Sequence, residues 1–313
     1  MDQLKFIKQF TKITERQLDR ETAAANFIKA ELNKRGLKFT IHKFSTVVPR
    51  IKKQNLTADG RNVPAIATGL ISGVIESNSA LISSLISSQK NLRDANINFN
   101  PACAGISRSN HYFAPALAIS RKDLLKVSLA KKVRGVVEVD PVKRQSENIL
   151  VGNIKNPKNI IVNHYDSIGS GACDNASGVA LTFALMEHSP QSLSNTLYVF
   201  AGNEELSYDQ PIYWGHGYRE FEKKFSGIMG KADKILVLDS LGNAPTQYTH
   251  EVKMVKLGFP IKNLEKWSKK IAMVYGGMGE LMEVYHSDLD TVDRLSEKYL
   301  EGAISVVEKL VVK

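Results

Sequence analysis

The sequence predicts an α/β protein: a mostly parallel central sheet with helices on both faces, carrying a small inserted segment that contains strands of its own. Two observations predict it. From Asn148 onward, short apolar runs alternate with helix-patterned stretches, the order that yields a parallel sheet covered on both sides. Between about Gly60 and Glu147 that order is absent. There Ser72, Ser77, Ser79, Ser83, Ser84, Ser87 and Ser88 punctuate short apolar runs such as 133–139. The chain therefore divides into a main domain, 1–59 with 148–313, and an insert, 60–147. At 313 residues it is long enough for one large domain that carries such an insert.

The elements follow in order. Ala24, Phe27, Ile28 and Leu32 recur at helical spacing and Gly36 supplies a stop, so a helix is expected over 21–34. Leu37, Phe39 and Ile41 alternate in a strand-like run over 37–47, which should end in a turn around Pro49. In the second half, strands are expected at 160–162, 197–200, 235–238 and 282–285. Helices are expected at 177–188, around 218–225, and at 296–311. Ligands of such sheets bind beyond the carboxyl ends of the strands, and the polar clusters of this sequence follow those ends.

Composition excludes several classes. Residues 1–15 mix apolar side chains with Lys and Glu and lack the apolar core and cleavage site of a signal peptide. No run approaches the roughly 18 apolar residues of a membrane span, so a cytoplasmic protein with no membrane partner is expected. The two cysteines, Cys103 and Cys173, form no Cys-x-x-Cys pair, against a disulfide framework or a zinc knuckle. The net charge of +10 is spread in pairs such as Lys52-Lys53, Lys131-Lys132 and Lys223-Lys224. That is a solvated basic surface rather than a clustered face, and no nucleic-acid partner is expected.

Five candidate metal ligands fall just after expected strands or in the loops that follow. His164 and Asp174 lie between Asn163 and Gly178, Glu205 in Gly202-Asn-Glu-Glu-Leu206, Asp239 in Val237-Leu-Asp-Ser-Leu-Gly242, and His286 in Tyr285-His-Ser-Asp-Leu-Asp-Thr291. Taken singly each is weak, since His-x-Asp is common and adjacent glutamates often decorate helices. The ordered set carries the argument. Two imidazoles and three carboxylates are donors suited to zinc or a similar divalent ion. Five ligands exceed what one catalytic zinc needs. They suit two ions about 3.5–4 Å apart with one carboxylate between them. The single-zinc helix motif is absent, because His250-Glu251 is followed by Met254 where a second histidine would stand.

These motifs resemble those of the co-catalytic di-zinc aminopeptidases, a family that also holds glutamate carboxypeptidase and has glutaminyl cyclase as a relative. The resemblance is strongest from Asn148 to the C-terminus and extends weakly to 22–44. The insert is loosely similar to the protease-associated insert of many members. The resemblance implies a zinc exopeptidase fold acting on peptides, with two divalent ions, zinc or else cobalt or manganese. It implies that His164 and Asp239 hold one ion, Glu205 and His286 the other, and that Asp174 bridges. Glu204 would be the general base, moving a proton from water to the leaving amine. Asp166 would orient the His164 ring through its other nitrogen.

Tyr275, Met278 and Tyr285 are candidates for substrate binding, Tyr285 for steadying the oxyanion, and Trp214 and His216 for pocket lining; core packing is the competing reading of each. The chain departs from the family after Glu-Glu, where Leu206–Gly217 replaces the usual glycine-containing segment, and in its Tyr275-Gly-Gly-Met-Gly279 loop. An aminopeptidase is the leading expectation. A carboxypeptidase on the same centre, a glutaminyl-cyclase-like transferase and a non-catalytic scaffold are the alternatives. The oligomeric state is left open.

Overall fold

A computed structural model describes residues 1–85 and 93–312, so Ser87 and Ser88 lie outside the described residues. Along the chain run α1 (Gln3–Phe10), α2 (Asp19–Lys34), β1 (Phe39–Ala58), β2 (Arg61–Asn62), β3 (Ala65–Ala67), β4 (Gly73–Glu76), β5 (Ala80–Ser83), β6 (Asn96–Phe99), β7 (Ala116–Ile119), α3 (Leu124–Ser128) and β8 (Val133–Gly152). There follow β9 (Asn159–His164), α4 (Ser177–His188), β10 (Thr196–Ala201), α5 (His216–Lys231), β11 (Lys234–Leu238), β12 (Gln247–Thr249), α6 (Val252–Gly258), α7 (Leu264–Trp267), β13 (Ile271–Tyr275), α8 (Met278–Met282) and α9 (Glu297–Val312). Among the described residues, no helix is long and apolar enough to cross a membrane.

The chain forms two compact units. The first comprises 1–46, 144–281 and 290–313, and the second 47–143 and 282–289. These bounds differ from the expected insert of 60–147, because the division falls within β1 and β8. Two expectations change with those strands. β1 does not turn at Pro49 but continues to Ala58, since a proline without an N–H is tolerated at a sheet edge. The apolar run at 133–139 is the start of β8, which continues to Gly152.

In the first unit the strand order is β12-β13-β11-β9-β10-β8-β1. β13, β11, β9 and β10 are parallel, whereas β8 runs antiparallel to β10 and β12 antiparallel to β13. The sheet is thus mixed, which corrects the expectation of a mostly parallel one. The reason lies in the connections. Residues 153–158 between β8 and β9 are too few for the crossover of a dozen or more residues that a parallel neighbour requires.

Successive side chains of the parallel strands point to opposite faces. Ile161, Tyr198, Phe200, Leu236 and Val274 pack with the residues of α1, α2, α4 and α9. Ile160, Val162, Leu197, Val199, Ile235, Val237 and Met273 pack with those of α5, α6 and α7. The chain passes from β9 to β10 on one side and from β10 to β11 on the other side of β9. His164 pairs with Ala201 at the ends of β9 and β10, and Val237 of β11 pairs with Val162. The three strands end on one edge, at a switch in strand order, where α/β sheets place their ligands.

The expected strand at 282–285 is not one. Met282 ends α8, and the strand that completes the parallel set is β13, at 271–275. The stretch 282–285 includes the exposed Glu283, whereas the apolar 271–275 pairs with β11 and is almost wholly buried. In the second unit, β7 pairs antiparallel with β3 and parallel with β6, which is parallel to β5. Leu56, Ile75, Leu117, Ile119, Val133 and Val137 form its core.

Candidate metal centre

His164, Asp174 and Glu205 each present a ligand atom, and these atoms lie within 4.8 Å of one another. His164 closes β9 with its ring buried. Its Nε2 stands 3.2 Å from Asp174 Oδ1 and 3.8 Å from Asp239 Oδ1. Donors held at ~2.1 Å around a tetrahedral zinc stand roughly 3.4 Å apart, so these separations suit atoms that share an ion. The other ring nitrogen, Nδ1, faces the Asp166 main-chain oxygen at 3.2 Å, with the Asp166 carboxylate at 3.6 Å. Asp166 therefore faces the ring chiefly through its backbone. Its carboxylate is taken up by two adjacent N–H groups, those of Glu204 at 3.0 Å and Glu205 at 2.9 Å.

The charge balance points to a cation. Asp166, Asp174, Glu204 and Glu205 are buried, and Asp239 is half-buried. Burial foremost, against the attraction of His164 and reinforced by Glu205, Asp166 and Asp239, pushes the Glu204 carboxyl well above the ordinary carboxylate range. Burial pulls His164 down, but Tyr218 and the carboxylates of Asp166, Asp174 and Asp239 hold its imidazolium well above the usual histidine range. Neighbouring carboxylates contribute to both shifts, adding to burial at Glu204 and opposing it at His164. The buried Arg16 guanidinium offsets part of this negative charge, and divalent cations would offset the rest. The donor set therefore fits bound metal.

Several further residues hold this constellation in place. Arg16 is fully buried. It donates to the main-chain oxygens of Tyr165 at 2.7 Å, Ser170 at 3.2 Å and Gly171 at 2.8 Å, tying down the loop after His164. Burial lowers its guanidinium to about 10, against the attraction of Asp166, Asp290, Glu205 and Asp174. Asn175 donates to the Leu238 oxygen at 2.8 Å and accepts from the Gly178 N–H at 3.0 Å. A Cβ on Gly178 would meet Asn175 Oδ1 at 2.4 Å. Ser177 opens α4. Its hydroxyl donates to Cys173 O at 2.7 Å and accepts from Leu241 N–H at 3.0 Å, joining the Asp174 turn to the loop after Asp239. Gly258 approaches Asp239 so closely that a Cβ there would stand 2.9 Å from Asp239 Oδ2. Asn203, just before Glu204, and Ser240, just after Asp239, take positive φ of 52° each, a strained backbone of the kind that collects at functional sites.

The other candidates are placed as follows. His286 belongs to the second unit, where it is buried with φ of 51°. Its ring stacks on Tyr285 at 3.7 Å between centroids, and its Nδ1 faces the Arg108 oxygen at 3.2 Å. Tyr285 also accepts at its main-chain oxygen from Ser107 at 2.5 Å. Tyr275 ends β13 and packs against the core of the α5 face, and Met278 opens α8 half-buried. The Gly276-Gly277 turn between them is pinned by Asn243, which accepts from Gly277 N–H at 3.0 Å and donates to Gly277 O at 2.8 Å. Trp214 donates to Leu257 O at 3.0 Å. His216 bridges Asp209 at 2.8 Å and the Ser45 oxygen at 3.0 Å. Cys103 and Cys173 are buried and free.

No protein-family model and no curated protein matches the sequence. Solved structures do match. A zinc aminopeptidase from Bacillus subtilis superposes with a TM-score of 0.69 at 17% identity, over 99% of this chain and 93% of that one. An aminopeptidase from Aneurinibacillus sp. strain AM-1 gives 0.63 at 16%, over 98% and 93%. A glutaminyl cyclase from an Acidobacteriales bacterium gives 0.51 at 12%, over 99% and 92%. At such identities the likeness shows the fold alone, and that fold is shared with these zinc aminopeptidases and this glutaminyl cyclase.

Proposed function

We propose that this protein is a zinc-dependent exopeptidase, acting as an aminopeptidase on peptides with free N-termini. The observation that carries the reading is the buried convergence of His164, Asp174 and Glu205, with Asp239 beside them, at the carboxyl edge of three adjacent strands. In this reading His164 and Asp239 would hold one ion, with Asp174 shared; Glu205 would hold a second, to which His286 is assigned on the sequence motif alone. Bound divalent ions would supply Lewis acidity to the scissile carbonyl and to the attacking water.

The rest is done by the chain's own side chains. Glu204 is the general base: it takes a proton from water as the oxygen attacks the carbonyl carbon, and delivers it to the amine as the C–N bond breaks. Asp166 sets the base and the ligand beside it, because its two oxygens take the N–H groups of both Glu204 and Glu205. Adjacent residues can then send their side chains to different tasks.

The test is cleavage of matched free and N-terminally blocked peptides by the metal-loaded and the chelated protein. Metal-dependent release of the first residue from free peptides alone is the expected result. Cleavage of blocked peptides from the other end would replace the aminopeptidase with a carboxypeptidase. No turnover with any peptide or metal would overturn the reading.

A further inference from the structure

We infer that Asp290 is a positioning residue for the bridging carboxylate, an inference that rests on the proposed metal reading. Asp174 lies in an irregular turn, 172–176, entered through Gly171 at φ of 62°. Asp174 itself has φ −111° and ψ 90°, and Asn175 has φ −137° and ψ 45°. Backbone so far from helical cannot satisfy its own N–H groups by helical bonding, and a buried N–H without an acceptor is costly. Asp290 answers for three of them. Its Oδ1 accepts from Cys173 N–H at 2.8 Å, its Oδ2 from Asp174 N–H at 3.0 Å, and its main-chain oxygen from Ala172 N–H at 3.0 Å. The side chain is 1% exposed, whereas Asp288 of the same motif faces solvent.

The arrangement repeats one already described. Asp166 takes the adjacent N–H groups of Glu204 and Glu205, and Asp290 takes those of Cys173 and Asp174. In each case a buried carboxylate grips the main-chain N–H of a residue assigned to metal and that of the residue just before it. A hydrogen bond to an ionised acceptor is shorter and stronger than a neutral one, and a pair of them fixes the direction of the Cα–Cβ bond that follows. Asp290 thereby determines where the Asp174 carboxylate points. It touches neither substrate nor the proposed ions, so its effect on them passes through Asp174.

The experiment is zinc titration of the metal-free protein by calorimetry, with the visible spectrum of the cobalt-loaded protein as a second readout. It is made on the parent, Asp290→Asn, Asp174→Asn and the double variant, each checked for folding by circular dichroism. The amide of Asp290→Asn keeps the size but offers one acceptor where two are needed. Its zinc affinity should fall about 10–100-fold, the usual cost of losing an outer partner of a ligand, and its cobalt spectrum should change. Added to Asp174→Asn, the same substitution should cost less than about 2-fold, because the residue it acts through is already gone. A folded Asp290→Asn that binds zinc like the parent, equal losses in both backgrounds, or an Asp290→Asn that does not fold would each overturn the inference. A parent that binds no zinc would instead remove the metal reading beneath it.

Discussion

Glu204 is buried 6% exposed beside His164, Glu205, Asp166 and Asp239, with its backbone fixed by Asp166. A carboxylate so placed is costly unless it is used or neutralised. Glu204→Gln keeps the shape and removes the proton acceptor. Peptide hydrolysis should fall by about 10²–10⁴-fold while zinc still binds, measured as kcat beside a metal titration; unchanged kcat would discard Glu204 as the base. Gly258 makes a second prediction. A Cβ there would meet Asp239 Oδ2 at 2.9 Å and the Met273 Cε at 2.9 Å. Gly258→Val should push Asp239 off its place and weaken zinc binding by an order of magnitude or so, as outer contacts of a ligand commonly do. Equal affinity would show that Asp239 yields without penalty. His164, Glu205 and Asp239 were legible because each lies at or shortly after the end of an apolar strand, and Asp174 and His286 through the ordered set they complete. Gly258 and Arg16 were not, since their partners lie far away in sequence and nothing local marks them; Asp290 stands inside the His286 motif, but its partners at 172–174 are distant in sequence.

The stretch from Leu206 to Gly217, which departs from the resembling family, is organised by its own ion cluster. Asp209 Oδ2 accepts from Arg219 Nε at 2.8 Å and meets His216 Nδ1 at 2.8 Å. Arg219, buried, also donates to the oxygens of Trp214, Pro260 and Ile212. Partial burial raises the Asp209 carboxyl, but the bonds and charges of His216 and Arg219 outweigh it and hold it far below the ordinary range. The folded protein therefore binds fewer protons here than the unfolded chain near pH 4. The cluster's stabilisation is present above that pH and is lost as pH falls toward the depressed value. In thermal unfolding between pH 6 and pH 3, the parent should lose more stability than Asp209→Asn; parallel slopes would refute the cluster's role. In this structure His216 is thus a structural hub whose two ring nitrogens are both occupied. A sequence cannot show this, because a histidine followed by glycine looks the same in a pocket or a brace.

At the scale of the molecule, the first unit carries an anionic cluster that its fold alone does not neutralise. Stripping metal should lower the unfolding midpoint, and restoring zinc at about 100 times its Kd should return roughly 2.7 kcal/mol of stability. An unfolding midpoint indifferent to chelation and to added zinc would argue against bound metal in the folded state. The sequence by itself determined β9, β10, β11, the closing helix and the ordered ligands, because strand burial and helical periodicity leave a local imprint and His164, Glu205 and Asp239 lie at or shortly after a strand end. It misread strand direction and extent. β1 and β8 run long, β8 lies antiparallel to β10, and β13 rather than 282–285 completes the parallel set. Which run pairs with which, and in what direction, depends on the length of connections and on contacts between distant segments. Only the tertiary structure brings His164, Asp174 and Glu205 within 4.8 Å, and only it shows Asp290 and Asp166 gripping the main chain that aims them. A carboxylate's chemistry is written in its residue type, but its direction is set by hydrogen bonds that exist only once the chain has folded.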